Sequence, residues 1–221
     1  MAKRMADKLM AMYDAMRARF GHRDWWPGDG PLEICVGAIL TQNTNWSNVE
    51  RAIGNLKRAR VLSLRRLAAL ERGALAELIR PAGYFNVKAE RLGNFIDAVV
   101  AAGGLAKFFH GETAALRERL LAIKGIGPET ADSILLYAAG RTAVVVDAYT
   151  GRLFRRHGLI SPDEKDYHAI QALFLALLPA DAELFNDYHA QIVETGKQFC
   201  KPRPNCADCP LRRWAHDETL K

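Results

Sequence analysis

A chain of 221 residues, 49% of them hydrophobic, can bury one substantial core or two small lobes sharing one. Its net charge of +6 and pI of about 9.2 lean toward a polyanionic partner. No apolar run reaches the length of a membrane span, and Met1-Ala2-Lys3-Arg4 precedes no signal-peptide core, so the expectation is a cytoplasmic monomer.

In chain order, residues 5 to 20 carry Met5, Leu9, Met12, Tyr13 and Met16 at the spacing of an amphipathic helix. A loop follows with Trp25 and Trp26 beside Pro27 and Gly28; its rings either cap the core or face a ligand. Pro31 to Leu40 reads as a buried helix in which Cys35 is an inert thiol. The polar run Thr41 to Asn45 breaks that pattern ahead of Trp46, and Thr44 or Asn45 caps a helix reaching about Arg58. Two short helical stretches fill 63–79, a turn spans 81–86, and Val87 to Ala102 is a helix ended by Gly103-Gly104.

Leu116, Leu120, Leu121 and Ile123 then share one helical face, and Ala131, Ile134, Leu135 and Ala138 share another. Between them Gly125-Ile126-Gly127 permits a tight turn with bare amides, and Pro128 suits the first turn of the next helix, where a phosphate would sit well. With no third glycine and no preceding strand this is not a dinucleotide fingerprint, and it lacks the Gly-Lys-Ser/Thr ending of a P-loop. An ordinary helical hairpin without a ligand is the plain alternative. Val144-Val145-Val146 reads as a buried connector, Asp147 as the N-cap of a helix from Ala148 to His157, and helices follow at Pro162 to Leu178 and Ala182 to Phe199. The fold class is all-α, about ten short helices. Near the C-terminus Cys200-x5-Cys206-x2-Cys209, set among Lys201, Arg203, Arg212 and Arg213, points to a metal rather than disulfides. His22, His110, His157, His168 and His189 have no ligand-like spacing and are expected on the surface or in packing.

Four motifs in one order carry a resemblance: Ile39-Leu40-Thr41-Gln42-Asn43-Thr44, Gly83-Tyr84-Phe85-Asn86-Val87-Lys88-Ala89, Ile123-Lys124-Gly125-Ile126-Gly127-Pro128-Glu129-Thr130-Ala131, and Val146-Asp147. With the cysteines they resemble the endonuclease III branch of the helix-hairpin-helix DNA glycosylases, over about residues 25 to 210. The resemblance implies two helical lobes, 23–139 and 1–22 with 140–221, with damaged double-stranded DNA across the cleft and the target nucleotide flipped out. It implies DNA contacts from the hairpin at Gly125, Ile126, Gly127, Glu129 and Thr130, from Lys201 and Arg203, and from Gln42 filling the gap in the duplex. It also implies a monovalent cation at the hairpin carbonyls and a nucleoid-associated location.

Asp147 matches the family's catalytic carboxylate, which stabilises an oxocarbenium-like sugar or positions a water. Where bifunctional members carry a Schiff-base lysine this chain has Glu129, and a carboxylate forms no imine, so strand cleavage is not expected. Trp25, Trp26, Pro27, Trp46 and Lys197 resemble the base pocket of the 3-methyladenine glycosylases, whose cationic substrates suit indole faces. The expected activity is monofunctional excision of alkylated purines. A glycosylase for oxidised pyrimidines or mismatched bases, and a non-catalytic DNA-binding module, are the alternatives. The family's [4Fe-4S] cluster would be held by Cys200, Cys206 and Cys209, but its fourth cysteine falls at about Ala215. His216 next door can coordinate, Asp217 less well. A cluster with a non-cysteine or external ligand, a three-iron cluster, Cys3His zinc and an empty site all remain open.

Overall fold

The computed structural model describes residues 2–23 and 25–220. The chain divides into two compact units, residues 26–141 and residues 1–25 with 142–221. No strand occurs among the described residues, and no described helix is long and apolar enough to cross a membrane.

The first helix, α1 (Ala2–Phe20), belongs to the discontinuous unit. The continuous unit holds α2 (Pro31–Leu40), α3 (Trp46–Arg58), α4 (Leu64–Ala68), α5 (Arg72–Leu78), a 3-10 turn (Arg80–Ala82), α6 (Phe85–Ala101), α7 (Leu105–Phe108), α8 (Thr113–Leu121) and α9 (Pro128–Ser133). Apolar nearly all round, α2 is the core helix: Cys35, Val36, Ile39 and Leu40 are fully buried, and it packs against α3, α6 and α9. Burial pushes the Cys35 thiol up and leaves it protonated, as an inert thiol should be. Asn45 caps α3 by accepting from the Asn48 amide at 3.1 Å.

A lysine is built into this apolar interior. Lys88, 1% exposed, donates from Nζ to the carbonyls of Leu40 (2.8 Å) and Ala82 (2.7 Å). It ties the end of α2, and so the start of the Thr41–Asn45 segment, to the 3-10 turn. Desolvation, helped by Arg91, brings its pKa down to about 8.

In the discontinuous unit α10 (Ala148–Arg156), α11 (Tyr167–Leu177) and α12 (Ala182–Gln198) complete the fold. Leu9, Met12, Tyr13 and Met16 of α1 are buried, and the helix packs against α11 and α12. Helix α11 starts at Tyr167, later than the expected Pro162, because Asp166 is its cap and accepts from the His168 amide at 2.8 Å. Val144–Val146 is a buried connector: the Val144 carbonyl accepts from Gln171 Nε2 at 2.7 Å.

Candidate active site and nucleic-acid interface

In the continuous unit, α8 and α9 are stapled by Arg117, whose Nε and Nη2 donate to the two oxygens of buried Asp132 at 2.7 and 3.0 Å. Between them Gly125 has φ of 98°, where only glycine is at ease, and the stem of Arg91 fills the space a side chain would take. Gly127 differs. Its backbone is extended (φ −95°, ψ 179°) and nothing lies where its Cβ would be. No side chain caps the start of α9, and Glu129 is exposed in its first turn. Beyond Ser133 the helix widens into a π-helical turn, Ile134–Ala138.

Gln42 lies on this hairpin. Its Nε2 donates to the Gly125 carbonyl (3.1 Å) and Thr130 Oγ1 (2.9 Å), and its Oε1 accepts from Arg91 Nη1 at 2.5 Å. The Lys124 carbonyl accepts from Asn94 Nδ2 at 3.0 Å. Each of these two carbonyls keeps a second lone pair. Nearby in sequence, Tyr84 is 72% exposed in a left-handed conformation (φ 46°), an unusual state for a bulky residue.

The structure gathers only part of the expected base pocket in one unit. Trp26 stands 5.2 Å, edge to face, from Trp46 and 5.1 Å from Tyr137, a ring that sequence reasoning missed. The widened turn carries Tyr137, so the signal was absent from a regular 3.6-residue period. Gly37 of α2 leaves room beneath: a Cβ there would sit 3.0 Å from the Trp26 indole nitrogen. Pro27 is exposed on the loop.

Trp25 belongs to the discontinuous unit, where Lys197 Nζ lies 5.3 Å over its ring. A polar row along α12 holds the segment leading to it. Asp187 accepts from Tyr13 Oη and the Arg23 amide (both 2.8 Å), Gln191 donates to the Gly21 carbonyl (2.7 Å), and Glu194 pairs with Arg23 (3.3 Å). Residues 187, 191, 194 and 197 recur at helical spacing, so all four lie on one face.

Asp147 caps α10: its Oδ1 accepts from the Thr150 amide at 2.8 Å and Thr150 Oγ1 at 2.9 Å. Its Oδ2 lies 3.5 Å from His189 Nε2, and both side chains are largely buried, 14% and 7% exposed. Burial alone would push this carboxyl up. The His189 contact and the Thr150 bonds outweigh it and leave Asp147 below the usual carboxylate range, ionised at neutral pH. His189 is therefore more than packing.

The cysteines also lie in this unit. Cys200, Cys206, Cys209 and His216 line one small cavity with Leu153, Phe199 and Leu211. His216 Nδ1 lies 2.7 Å from the Trp214 carbonyl, which fixes the tautomer that leaves Nε2 to coordinate, the usual support for a histidine ligand. The donor atoms of Cys206, His216 and Glu218 fall within 4.8 Å of one another; Glu218 was not foreseen. Asp217 is engaged elsewhere, accepting from the Thr219 amide and hydroxyl at 2.8 and 2.6 Å. Burial and then the Glu218 carboxylate, with a smaller push from the other two thiols, raise the Cys206 thiol to about 11, and burial pushes Cys209 up. Buried Arg156 places Nη1 3.2 Å from Cys200 Sγ. Three thiols, an imidazole and a compensating guanidinium around one cavity fit a thiolate-held metal group. Lys201 and Arg203 of the same loop are exposed.

An all-helical chain with an uncapped Gly-x-Gly hairpin and a buried, ionised carboxylate at a helix start defines the class of helix-hairpin-helix DNA glycosylases. The chain belongs to the HhH-GPD superfamily of base excision DNA repair proteins, whose model matches residues 36–180. It is 45% identical over 212 residues to a Methanocaldococcus jannaschii chain assigned as a DNA repair glycosylase, covering 94% of this chain and 96% of that one. Thermotoga maritima endonuclease III is 29% identical over 82% of this chain and 81% of its own. Among solved structures, the H. pylori 3-methyladenine DNA glycosylase bound to 1,N6-ethenoadenine is 32% identical with a TM-score of 0.74, over 88% of this chain and 97% of that one. An endonuclease III–DNA complex shares the fold, with a TM-score of 0.81 at 20% identity over 95% and 94% of the two chains.

Proposed function

We propose that this DNA N-glycosylase is monofunctional and excises alkylated purines of the 3-methyladenine type, leaving an abasic site. The observation that carries the reading is Glu129, exposed in the first turn of α9 where bifunctional relatives carry their lysine nucleophile. The likeness to an enzyme named for 3-methyladenine supports the substrate class. So does the Trp26, Trp46 and Tyr137 group, which offers π faces to a cationic base.

An N-alkylated purine is already a good leaving group. The glycosidic bond breaks with both electrons leaving on the base, which departs neutral. The positive charge that develops on the sugar is stabilised by ionised Asp147. A water then adds to the anomeric carbon and loses its proton to Asp147 or solvent. The amides of Gly125, Gly127, Glu129 and Thr130 hold backbone phosphate, with Lys201 and Arg203 adding charge; Ile126, expected to join them, instead shapes the turn, because its amide donates to the Ile123 carbonyl at 3.0 Å. Gln42 and exposed Tyr84 meet the duplex, and Trp25, Pro27 and Lys197 contribute to the base-contacting set. Damaged duplex DNA is the partner, bound by a cytoplasmic, nucleoid-associated monomer, with a monovalent cation at the hairpin carbonyls.

In this reading Cys200, Cys206, Cys209 and His216 hold a [4Fe-4S] cluster. When bound, the cluster supplies a rigid brace for the basic loop. Iron analysis and visible absorbance of pure protein test it; colourless, iron-free protein overturns it, and bound zinc would replace it. The activity is tested on duplexes carrying single defined lesions, assayed before and after alkali. The expected result is release of 3-methyladenine, with strand breaks only after alkali. Efficient borohydride trapping would overturn the monofunctional reading, and release of oxidised pyrimidines alone would overturn the substrate class.

A further inference from the structure

We propose that His189 is a positioning residue for Asp147, holding the carboxylate's second oxygen in place while the first serves the helix cap. The inference rests on the catalytic reading of Asp147 and deepens it. Capping needs one oxygen: Oδ1 takes both Thr150 bonds. That leaves Oδ2 as the atom able to face a developing charge, and the imidazole Nε2 stands 3.5 Å from it. With a single tether the carboxylate could rotate about its last bond; a group at Oδ2 fixes the plane as well as the position.

The imidazole is itself fixed. His189 shares an apolar enclosure with Val144, Val145, Phe174, Phe185 and Ile192, joined by Tyr188, whose hydroxyl donates to the Leu9 carbonyl at 2.8 Å. Two turns along α12, Gly196 lets the ring of Tyr149, the second residue of α10, lie directly against the helix backbone. The helix that Asp147 caps and the helix that carries His189 therefore meet at a close ring-on-backbone contact. Among the described residues, Tyr188 of α12 lines the same enclosure, and Tyr167 of α11 places its hydroxyl 3.4 Å from the Val146 amide and the Val144 carbonyl. Burial pushes the Tyr188 phenol up, so it stays neutral at neutral pH. Without the imidazole, desolvation would act on Asp147 with only Thr150 opposing it, and the acid limb of the pH–rate profile would move to higher pH.

The test measures single-turnover excision of a 3-methyladenine-type lesion across pH for the intact protein and for His189→Leu, His189→Gln and Asp147→Asn, with melting curves for each. His189→Leu should lower the excision rate constant by about 100-fold with DNA affinity kept, and shift the acid limb upward. His189→Gln, which retains a donor, should recover much of the rate and return the limb. Wild-type rates and limb in His189→Leu would overturn the proposal. Equal losses in both His189 variants with an unmoved limb would mark a merely structural role and overturn it too. Full excision by Asp147→Asn would instead overturn the catalytic reading beneath it.

Discussion

The two units solve the problem of a fixed interior differently. Residues 26–141 form one continuous stretch around apolar α2, and their buried polar groups pair inside that stretch, Asp132 with Arg117 fifteen residues away and Lys88 with the Leu40 carbonyl 48 away. The unit of residues 1–25 and 142–221 must join segments far apart in the chain. It does so with buried polar hubs: Asp187 gathers Tyr13 and Arg23, 174 and 164 residues distant, and Arg156 gathers the carbonyls of Lys201, Pro202 and Leu220. Apolar burial is non-directional and would hold these segments without setting their register. Hydrogen-bonded charge sets it. The unit that carries Asp147 and Trp25 is thus the one whose geometry depends most on individual polar contacts.

If chemistry belongs to the discontinuous unit, its largest effect comes from Asp147→Asn. Excision should fall at least about 10³-fold, while melting changes little, because Asn caps a helix as well as Asp. DNA affinity measured by anisotropy should stay near wild type. Next come the hubs. Asp187→Ala leaves several donors unmet and should cost about 3–5 kcal/mol in denaturant unfolding, against about 1–3 kcal/mol for Asp132→Ala in the continuous unit. Equal costs would break the contrast between the units. Smallest is Lys197→Ala, which removes a cation lying over Trp25 at an exposed position. About 0.5–1 kcal/mol in lesion affinity, with unfolding unchanged, is expected.

Local chemistry made much of this legible. Helical periodicity, the caps at Asn45 and Asp147, the hairpin and the buried Val144–Val146 connector all depend on neighbours within a few residues, and the fold class followed from them. What stayed hidden depends on distance. Nothing around His189 announces a carboxylate 42 positions earlier, and nothing around Asp187 announces Tyr13. Tyr137 was hidden for another reason: a π-helical turn shifts which face of the helix it occupies. Lys88 and Arg91 sit in or just beyond the Gly83–Ala89 motif, yet their partners at Leu40, Ala82 and Gln42 come only with the fold.

The two hairpin glycines answer to different masters. Gly125 serves the chain: its backbone angle and the Arg91 stem both forbid a side chain, so Gly125→Ala should register in a melting curve before any DNA is added. Gly127 has an ordinary backbone and empty space beside it, so Gly127→Ala should fold as well as the parent and reveal itself only in the duplex-binding isotherm. A methyl group there is a guest-sized obstruction, silent until the guest arrives.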